Sequence, residues 1–550
     1  MSRVRADRTV ETDVCILGSG ISAAMVAERL SEESTSRITV IEAGDRIFNL
    51  DRRFETRGRF LDYAENPWPN DHIPKQTGRN IQSRSMCVGG LGLHWGGTVP
   101  RFTPEDFRLH SMYGVGTDWP LDYDALDPFY QEAEERMGVA GTWGPRELDP
   151  RSRDYPMPPL PLSWNLQRLE AWAEKSGIPY WPNPVAKNSE VYRGRGKCTR
   201  CDTCTICPTG AKYTPDLTFI DLLEQRKIEL HSRMLVRRLE VRNGSMEIER
   251  AVAVDRDRPE EVVEIRAKTF VLACGYAWSP HLLLLSQSDR FPEGLANSSG
   301  LVGAYMTGHR SVNAFVEVPF RLYPGIYEMD SLLSKRFQRP GAQEKYLRHD
   351  LRIWETSFDR QARLRDDDGK LLLGDAALTD WRERTTTGTA RMRGYYDVIP
   401  DRSSRLTLDH SRKNLFGDPT LRIDLRDDPV SAELRGWSEQ KIVATFERIV
   451  DAGGGKLLTT RPSPYQDHPG GGCRMGNDPT ESVVDGWGRS HDHENLWVIG
   501  APTIPSGGCN NGTLTFCALS LRSAAAIARE LPTRESVEHA VPHPAFVEAA

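Results

Sequence analysis

The sequence predicts an α/β fold, α+β overall, in which a Rossmann-like dinucleotide-binding domain is joined to a second domain on a largely antiparallel sheet. Three observations predict it. Residues 13–42 run in the order strand, glycine turn, helix, strand, acid. Residues 311–464 contain candidate strands and one long candidate helix. The chain has 550 residues, enough for two or more structural units.

Residues 13–17, DVCIL, form a short apolar run that leads into Gly18-Ser19-Gly20-Ile21-Ser22-Ala23. AAMVAERLSEE then reads as a helix, and RITVIEAG as a strand that ends on Glu42. This is the order of a dinucleotide-binding βαβ unit. Gly18 permits the tight turn, Gly20 lets a pyrophosphate approach the backbone, and Ala23 allows close helix packing. The free N–H groups and positive dipole of the helix N-terminus face the phosphates. Glu42, 22 residues after Gly20, is placed to accept a hydrogen bond from a ribose hydroxyl. The motif alone does not separate NAD from FAD.

In the second region SVNAFVEV (311–318) and ARMRGYYDVIP (390–400) read as strands, and SAELRGWSEQKIVATFERIVDAG (431–453) as a helix. Trp354, Tyr395 and Tyr396 could stack on a sugar ring, but aromatics in such strands are more often core residues. The charge run RQARLRDDDGK (360–370) reads as a solvated loop.

Composition narrows the function classes. Hydrophobic residues make up 38% and charged residues 27%, an ordinary soluble balance, and the net charge is −6. That charge argues against an electrostatic grip on nucleic acid or an anionic membrane. No apolar run approaches the roughly 20 residues that span a bilayer, so no direct membrane insertion is expected. The N-terminal stretch MSRVRADRTVETDV lacks the apolar core of a secretory signal. The expectation is a cytoplasmic protein, unless a partner subunit exports it.

Residues 467–476 read DHPGGGCRMG, and ENLWVIGAPTIPSGGCNNGTLTFCALSLRSAAAIA follows from Glu494. These stretches resemble the C-terminal signature of the glucose-methanol-choline (GMC) oxidoreductase family, whose pattern runs HPxGTCRMG, NLWVxGAP, NPTLTxxALAxRxA. KTFVLACGYAWSPHLLLLS (268–286) and NSSGLVGAYMTGH (297–309) agree with the same family. The resemblance implies FAD as the cofactor and alcohol oxidation as the chemistry. It also implies a discontinuous FAD-binding domain (1–100, 195–310 and 465–535) and a substrate domain (101–194 and 311–464), with 536–550 as a tail. SSRLTLDHSRKNLFGDPTLRIDL (403–425) resembles the family's hairpin region.

Such a reaction needs a base for the hydroxyl proton and an acceptor for the hydride. A neutral imidazole can take the proton, and His468 stands at the family's histidine position. Asn511 stands at the position of the family's His-or-Asn partner, where its amide can hold the substrate oxygen. Asn510 is adjacent, and only the family register prefers the second asparagine; Gly512 replaces the family's usual proline. The resemblance places Gly500 and Thr513 beside the flavin, with the dipole of the helix after Asn511 favouring its reduced anion. His281, His491 and His493 read as ordinary loop or core histidines.

Residues 86–107, MCVGGLGLHWGGTVPRFTPEDF, offer a second glycine turn at Gly89 and Gly90, with His94 beyond it. This stretch is similar to pyranose oxidases and to the bacterial flavin subunits of membrane-linked sugar dehydrogenases. The pyranose oxidases join the corresponding histidine covalently to the 8α carbon of FAD, which makes His94 a candidate for that bond. The alternative is an unlinked imidazole packed on the dimethylbenzene edge.

Four of the ten cysteines fall in CTRCDTCTICP (198–208): Cys198, Cys201, Cys204 and Cys207, two residues apart, then proline. A bacterial ferredoxin run differs only in its last gap, so an iron–sulfur cluster is expected, [3Fe–4S] or [4Fe–4S]. The following TGAKYTPDLTFIDLLEQ (209–225) resembles the segment after the cysteines in bacterial sugar dehydrogenases. Structural zinc favours two pairs separated by a longer loop, and disulfides are disfavoured in a reducing compartment. Cys15, Cys87, Cys274, Cys473, Cys509 and Cys517 read as core residues. Together these features lead us to expect FAD-dependent oxidation of an alcohol group of a sugar, glycoside or related polyol. Electrons would leave through the cluster to an external acceptor or redox partner protein. The alternative is an oxygen-using, pyranose-oxidase-like sugar oxidase without a cluster.

Overall fold

A computed structural model describes residues 6–46, 85–201, 204, 207–323, 331–339, 348–355, 363–427, 429–463 and 467–533. The predicted tail 536–550 lies outside these residues, as do 47–84 of the first predicted nucleotide-domain segment.

The N-terminal pattern builds a five-stranded parallel sheet in the order Leu496–Val498, Thr269–Leu272, Val14–Leu17, Ile38–Ile41, Glu229–His231. Val14–Leu17 and Ile38–Ile41 are buried throughout. This is what continuous apolar strands covered on both faces should show. The helices Ile21–Glu33 and Thr513–Ala528 pack on one another. Ala23, Ala27, Leu30, Ala524 and Ile527 share one core with the strand residues Val14 and Val40.

A second sheet has seven strands, all paired antiparallel. Its order is Lys456–Pro462, Thr307–Val318, Gly388–Asp397, Leu351–Glu355, Leu332–Ser334, Trp181–Pro182, with Asp467–Gly470 also pairing to Thr307–Val318. Val312, Ala314, Val316 and Val318 alternate along one strand. They meet Ile442, Phe446, Ile449 and Val450 of the helix Pro429–Gly453. The expected hairpin forms from Arg405–Lys413 and Pro419–Asp424. A four-stranded sheet (Arg8–Glu11, Arg258–Arg266, Ile248–Asp255, Met234–Val241) completes the strand layers.

Residues 101–194 do not stay together. The helix Tyr123–Met137 packs on Thr513–Ala528, with Tyr130 and Thr515 hydroxyls 2.8 Å apart. Leu126, Tyr130 and Ala133 share a core with Leu514, Phe516 and Cys517. Buried Arg101 anchors that helix through Glu134 at 2.8 Å and through Asp127. Trp181–Pro182, by contrast, joins the antiparallel sheet.

Candidate active site

The first glycine turn follows the C-terminal end of Val14–Leu17. Gly18 has φ +94°, and a Cβ there would stand 2.7 Å from the Ala273 carbonyl oxygen, so only glycine fits. A Cβ on Gly20 would meet nothing within 4 Å. Gly20 is also the N-cap of Ile21–Glu33, and no side chain caps that helix. Open space beside an uncapped helix N-terminus is what a dinucleotide phosphate requires. Buried Glu42 accepts from Ser19 N at 3.0 Å, Ser19 Oγ at 2.6 Å and Gly44 N at 2.8 Å. Burial outweighs these bonds and holds its carboxyl above the usual range. Three of its acceptor positions thus tie down the turn itself.

The second turn lies on the first. Gly89 N donates to the Ser19 carbonyl at 3.0 Å, and a Cβ on Gly90 would meet only Gly20 Cα, at 3.6 Å. Gly500, with φ +76°, leaves room for Ser22, whose Oγ would stand 2.2 Å from a Cβ. These residues fit a dinucleotide: Gly18 makes the tight turn, Gly20 and Gly90 face one another without side chains, and Ala23 is buried on the helix that follows.

His94 is buried at the end of the short 3-10 helix Gly90–Leu93. The loop around it is pinned from outside. Lys212 Nζ donates to the carbonyls of Leu93 at 3.1 Å and Trp95 at 2.5 Å, and Trp95 Nε1 donates to the Tyr213 carbonyl at 2.8 Å. The residues just after the cysteine run therefore hold the His94 loop.

Within that run Cys207 is buried, Cys201 is exposed, and Cys198 and Cys204 lie between; none forms a disulfide. Among the described residues no three His, Cys, Asp or Glu side chains are gathered as a metal site. Burial pushes the Cys207 thiol up, but Thr209, the Lys212 N–H and the Lys212 charge more than offset it, and its pKa falls below the ordinary value. The other six cysteines are buried or nearly so.

His468 sits on the strand Asp467–Gly470, and Asn511 two residues before the helix Thr513–Ala528. His468 Nε2 is 3.0 Å from Asn511 Nδ2. Asn511 Oδ1 has no hydrogen-bond partner among the described residues. Asn510 turns elsewhere, donating to the Arg101 carbonyl at 3.1 Å. Gly512 keeps the register: its φ of −78° is one a proline also adopts, and a Cβ there would press on Phe516 at 2.7 Å. Thr513 opens the helix, whose N-terminus again has no side-chain cap.

His468 has φ +50°, a left-handed conformation rare outside glycine. Its cause is a bulge. Thr307 pairs with Gly470 and His309 with Asp467, so one extra residue sits on the His468 strand. The bulge brings the imidazoles together, with His468 Nδ1 3.0 Å from His309 Nε2. His468 is set deep yet remains part-accessible. Burial, with Arg352 and Arg393 added and Asp467 opposed, holds its pKa down at about 4. The imidazole is therefore neutral, with a lone pair available, at any physiological pH.

Arg393 pairs with Asp467 and lies 4.1 Å from the Tyr395 ring centroid; Arg352 lies 4.9 Å from it on a Cζ-to-centroid basis. Tyr395 is thus buried between cations, Tyr396 is buried with its hydroxyl on Glu439 at 2.7 Å, and Trp354 takes Arg391 on its ring. His281 contacts the Pro419 carbonyl, His491 the Ser482 hydroxyl and His493 the Met246 carbonyl, all structural contacts. Neither His309 nor Lys212 carries a sequence signal that specifies a role. His309 closes the stretch 297–309, and its side-chain type was the only signal there.

A glycine cradle suited to a dinucleotide and a neutral histidine–asparagine pair are the parts that an oxidoreductase of CH–OH groups needs. Residues 161–309 and 400–520 match the N- and C-terminal profiles described as GMC oxidoreductase. The chain is 30% identical to the fructose dehydrogenase large subunit of Gluconobacter japonicus, over 96% of this chain and 99% of that protein. It is 28% identical to the 6'''-hydroxyparomomycin C oxidase of Streptomyces lividus, covering 94% and 92%. Its fold is similar to that of pyridoxine 4-oxidase from Mesorbium loti, with a TM-score of 0.60 at 18% identity, covering 94% and 99% of the two chains. The chain belongs to the GMC oxidoreductase family, and it is an FAD-dependent enzyme acting on CH–OH groups.

Proposed function

We propose that this enzyme oxidises an alcohol carbon of a sugar, glycoside or related polyol, with His468 as the base. The observation that carries this reading is the 3.0 Å contact between His468 Nε2 and Asn511 Nδ2. The sugar assignment follows relatives named as a fructose dehydrogenase large subunit and a 6'''-hydroxyparomomycin C oxidase.

Gly18, Gly20, Gly89 and Gly90 would hold the pyrophosphate of FAD, Gly500 and Thr513 would serve its ring system, and Glu42 would accept from a ribose hydroxyl with its remaining acceptor capacity. FAD bound there supplies the hydride acceptor. The substrate hydroxyl displaces the Asn511 amide from His468 Nε2 and gives its proton to that nitrogen. The freed Asn511 amide then donates to the developing alkoxide. Buried His94 is the candidate for a covalent flavin bond.

The same reading assigns Cys198, Cys201, Cys204 and Cys207 to an iron–sulfur cluster that passes electrons to an external acceptor or a partner protein. Support comes from their spacing, the lowered Cys207 pKa and the attachment of this segment to the His94 loop.

Anaerobically purified protein tests this reading by iron, sulfide and flavin analysis, followed by turnover of sugars with a dye acceptor. Iron and sulfide of about three or four per chain, with flavin, are expected for such clusters. Flavin remaining in an acid precipitate supports a bond at His94. Flavin without iron, with rapid peroxide formation in air, overturns the cluster assignment and makes the enzyme an oxidase.

A further inference from the structure

His309 is a fully buried histidine that the reaction described above does not use. It comes from another strand, yet its Nε2 lies 3.0 Å from Nδ1 of His468. The two rings are tilted, with centroids 4.9 Å apart, and Tyr395 meets His309 edge-on at 4.5 Å.

The hydrogen-bond directions along this line follow from chemistry. An amide NH2 only donates, so Asn511 Nδ2 at 3.0 Å makes His468 Nε2 the acceptor. A neutral imidazole carries one proton, so that of His468 is on Nδ1, and it is donated to His309 Nε2. His309 must then carry its own proton on Nδ1. That atom makes no hydrogen bond among the described residues, although the Gly507 carbonyl faces the ring closely enough to favour its protonated form.

Burial and the neighbouring cations disfavour a second proton on His309. Burial comes first, followed by His468, Arg393 and Arg352, and together they hold its pKa well below that of an ordinary histidine. The strand neighbours are Asp397, its cross-strand partner, and Asp467. Asp467 is already paired with Arg393, and Tyr395 lies against the His309 ring.

We propose that His309 is a positioning residue that fixes the tautomer of His468, keeping the Nε2 lone pair on the side of Asn511 and the substrate. This inference rests on His468 being the base. The substrate O–H bond breaks and its proton forms a bond with His468 Nε2. The C–H hydride leaves to the bound flavin, and a carbonyl forms. Throughout, the Nδ1 proton stays between the two histidines. Because His309 resists a second proton, the proton gained at Nε2 is not passed on through His309.

Without an acceptor at position 309, His468 can place its proton on Nε2 and lose its function as a base. His309→Leu should lower the rate of anaerobic flavin reduction about 10- to 100-fold, as loss of an orienting partner does elsewhere. Its acid limb should move to lower pH, because the imidazolium loses its Nδ1 partner. His309→Gln retains an acceptor and should recover most of the rate and the wild-type limb. Flavin reduction in H309L at the wild-type rate and pH profile overturns the proposal, as does H309Q falling as low as H309L.

If H309L fails to retain flavin, the wild-type protein itself decides. The chain has thirteen histidines, so 15N-histidine spectra assigned with H309Q and His468→Asn can report the tautomer directly. His468 protonated on Nδ1 agrees with the proposal, and His468 protonated on Nε2 overturns it. The two readings fail separately. If His468→Ala retains turnover, the base assignment fails. If H468A is inactive while H309L is normal, only the tautomer inference fails.

Discussion

Lys212 binds Cys207 and the His94 loop at once: its N–H donates to Cys207 Sγ at 3.4 Å, and its ammonium bridges the Leu93 and Trp95 carbonyls. A fully buried lysine in this position joins the cysteine segment to the loop that follows the second glycine turn.

Replacing Lys212 with Met leaves two carbonyls without their charged donor. The cost expected for such a loss is about 2–4 kcal/mol, which should lower the thermal midpoint of the protein by about 2–3 °C. Flavin content should fall with it, because the His94 loop loses its anchor. Thermal unfolding with flavin absorbance checks both.

Gly18 and Gly20 should separate folding from cofactor binding. Gly18→Ala puts a Cβ against the Ala273 carbonyl at a φ of +94°, and the protein should be destabilised with or without flavin. Gly20→Ala meets no protein atom, so the apoprotein should unfold like the wild type while flavin content drops. Denaturation of apo and holo forms of both variants tests the distinction.

The βαβ unit was legible because it is local. Residues 13–42 contain their own strand, turn and helix signals, and the structure forms each one. His468 and Asn511 could be singled out by motif, and the strand and helix bring them together. His309 could not be given a role, since its contact with His468 spans 159 residues and depends on a one-residue bulge. The packing of the helix Tyr123–Met137, within the segment 101–194 assigned to the substrate domain, is hidden for a related reason. Its apolar face is evident in sequence, but nothing local says that Thr513–Ala528 receives it.

With His468 as the proposed base, its low pKa sets the acid limb of catalysis. A base must be neutral, so kcat/KM should rise with pH through about 4 and show no His468 limb near the ordinary value of 6.5. The same depression makes a stability contribution that is present above 6.5 and lost as pH falls from there through about 4. The pH–rate profile and urea unfolding at several pH values measure the two effects.

Arg393 offers a directed shift of that limb. Its charge lowers the His468 pKa, whereas that of Asp467 raises it. Arg393→Met removes the first and leaves Asp467 without its partner, so the acid limb should move toward higher pH. A profile that does not move, in a variant that retains flavin, contradicts this electrostatic assignment.

Direct evidence on the central claim comes from anaerobic mixing of flavin-loaded enzyme with sugars and polyols, following loss of oxidised-flavin absorbance in wild type and His468→Ala. His468 as the base predicts bleaching by at least one such alcohol in the wild type. In H468A, with its flavin retained, bleaching should slow by about 10²- to 10⁴-fold. Bleaching of H468A at the wild-type rate would contradict the claim.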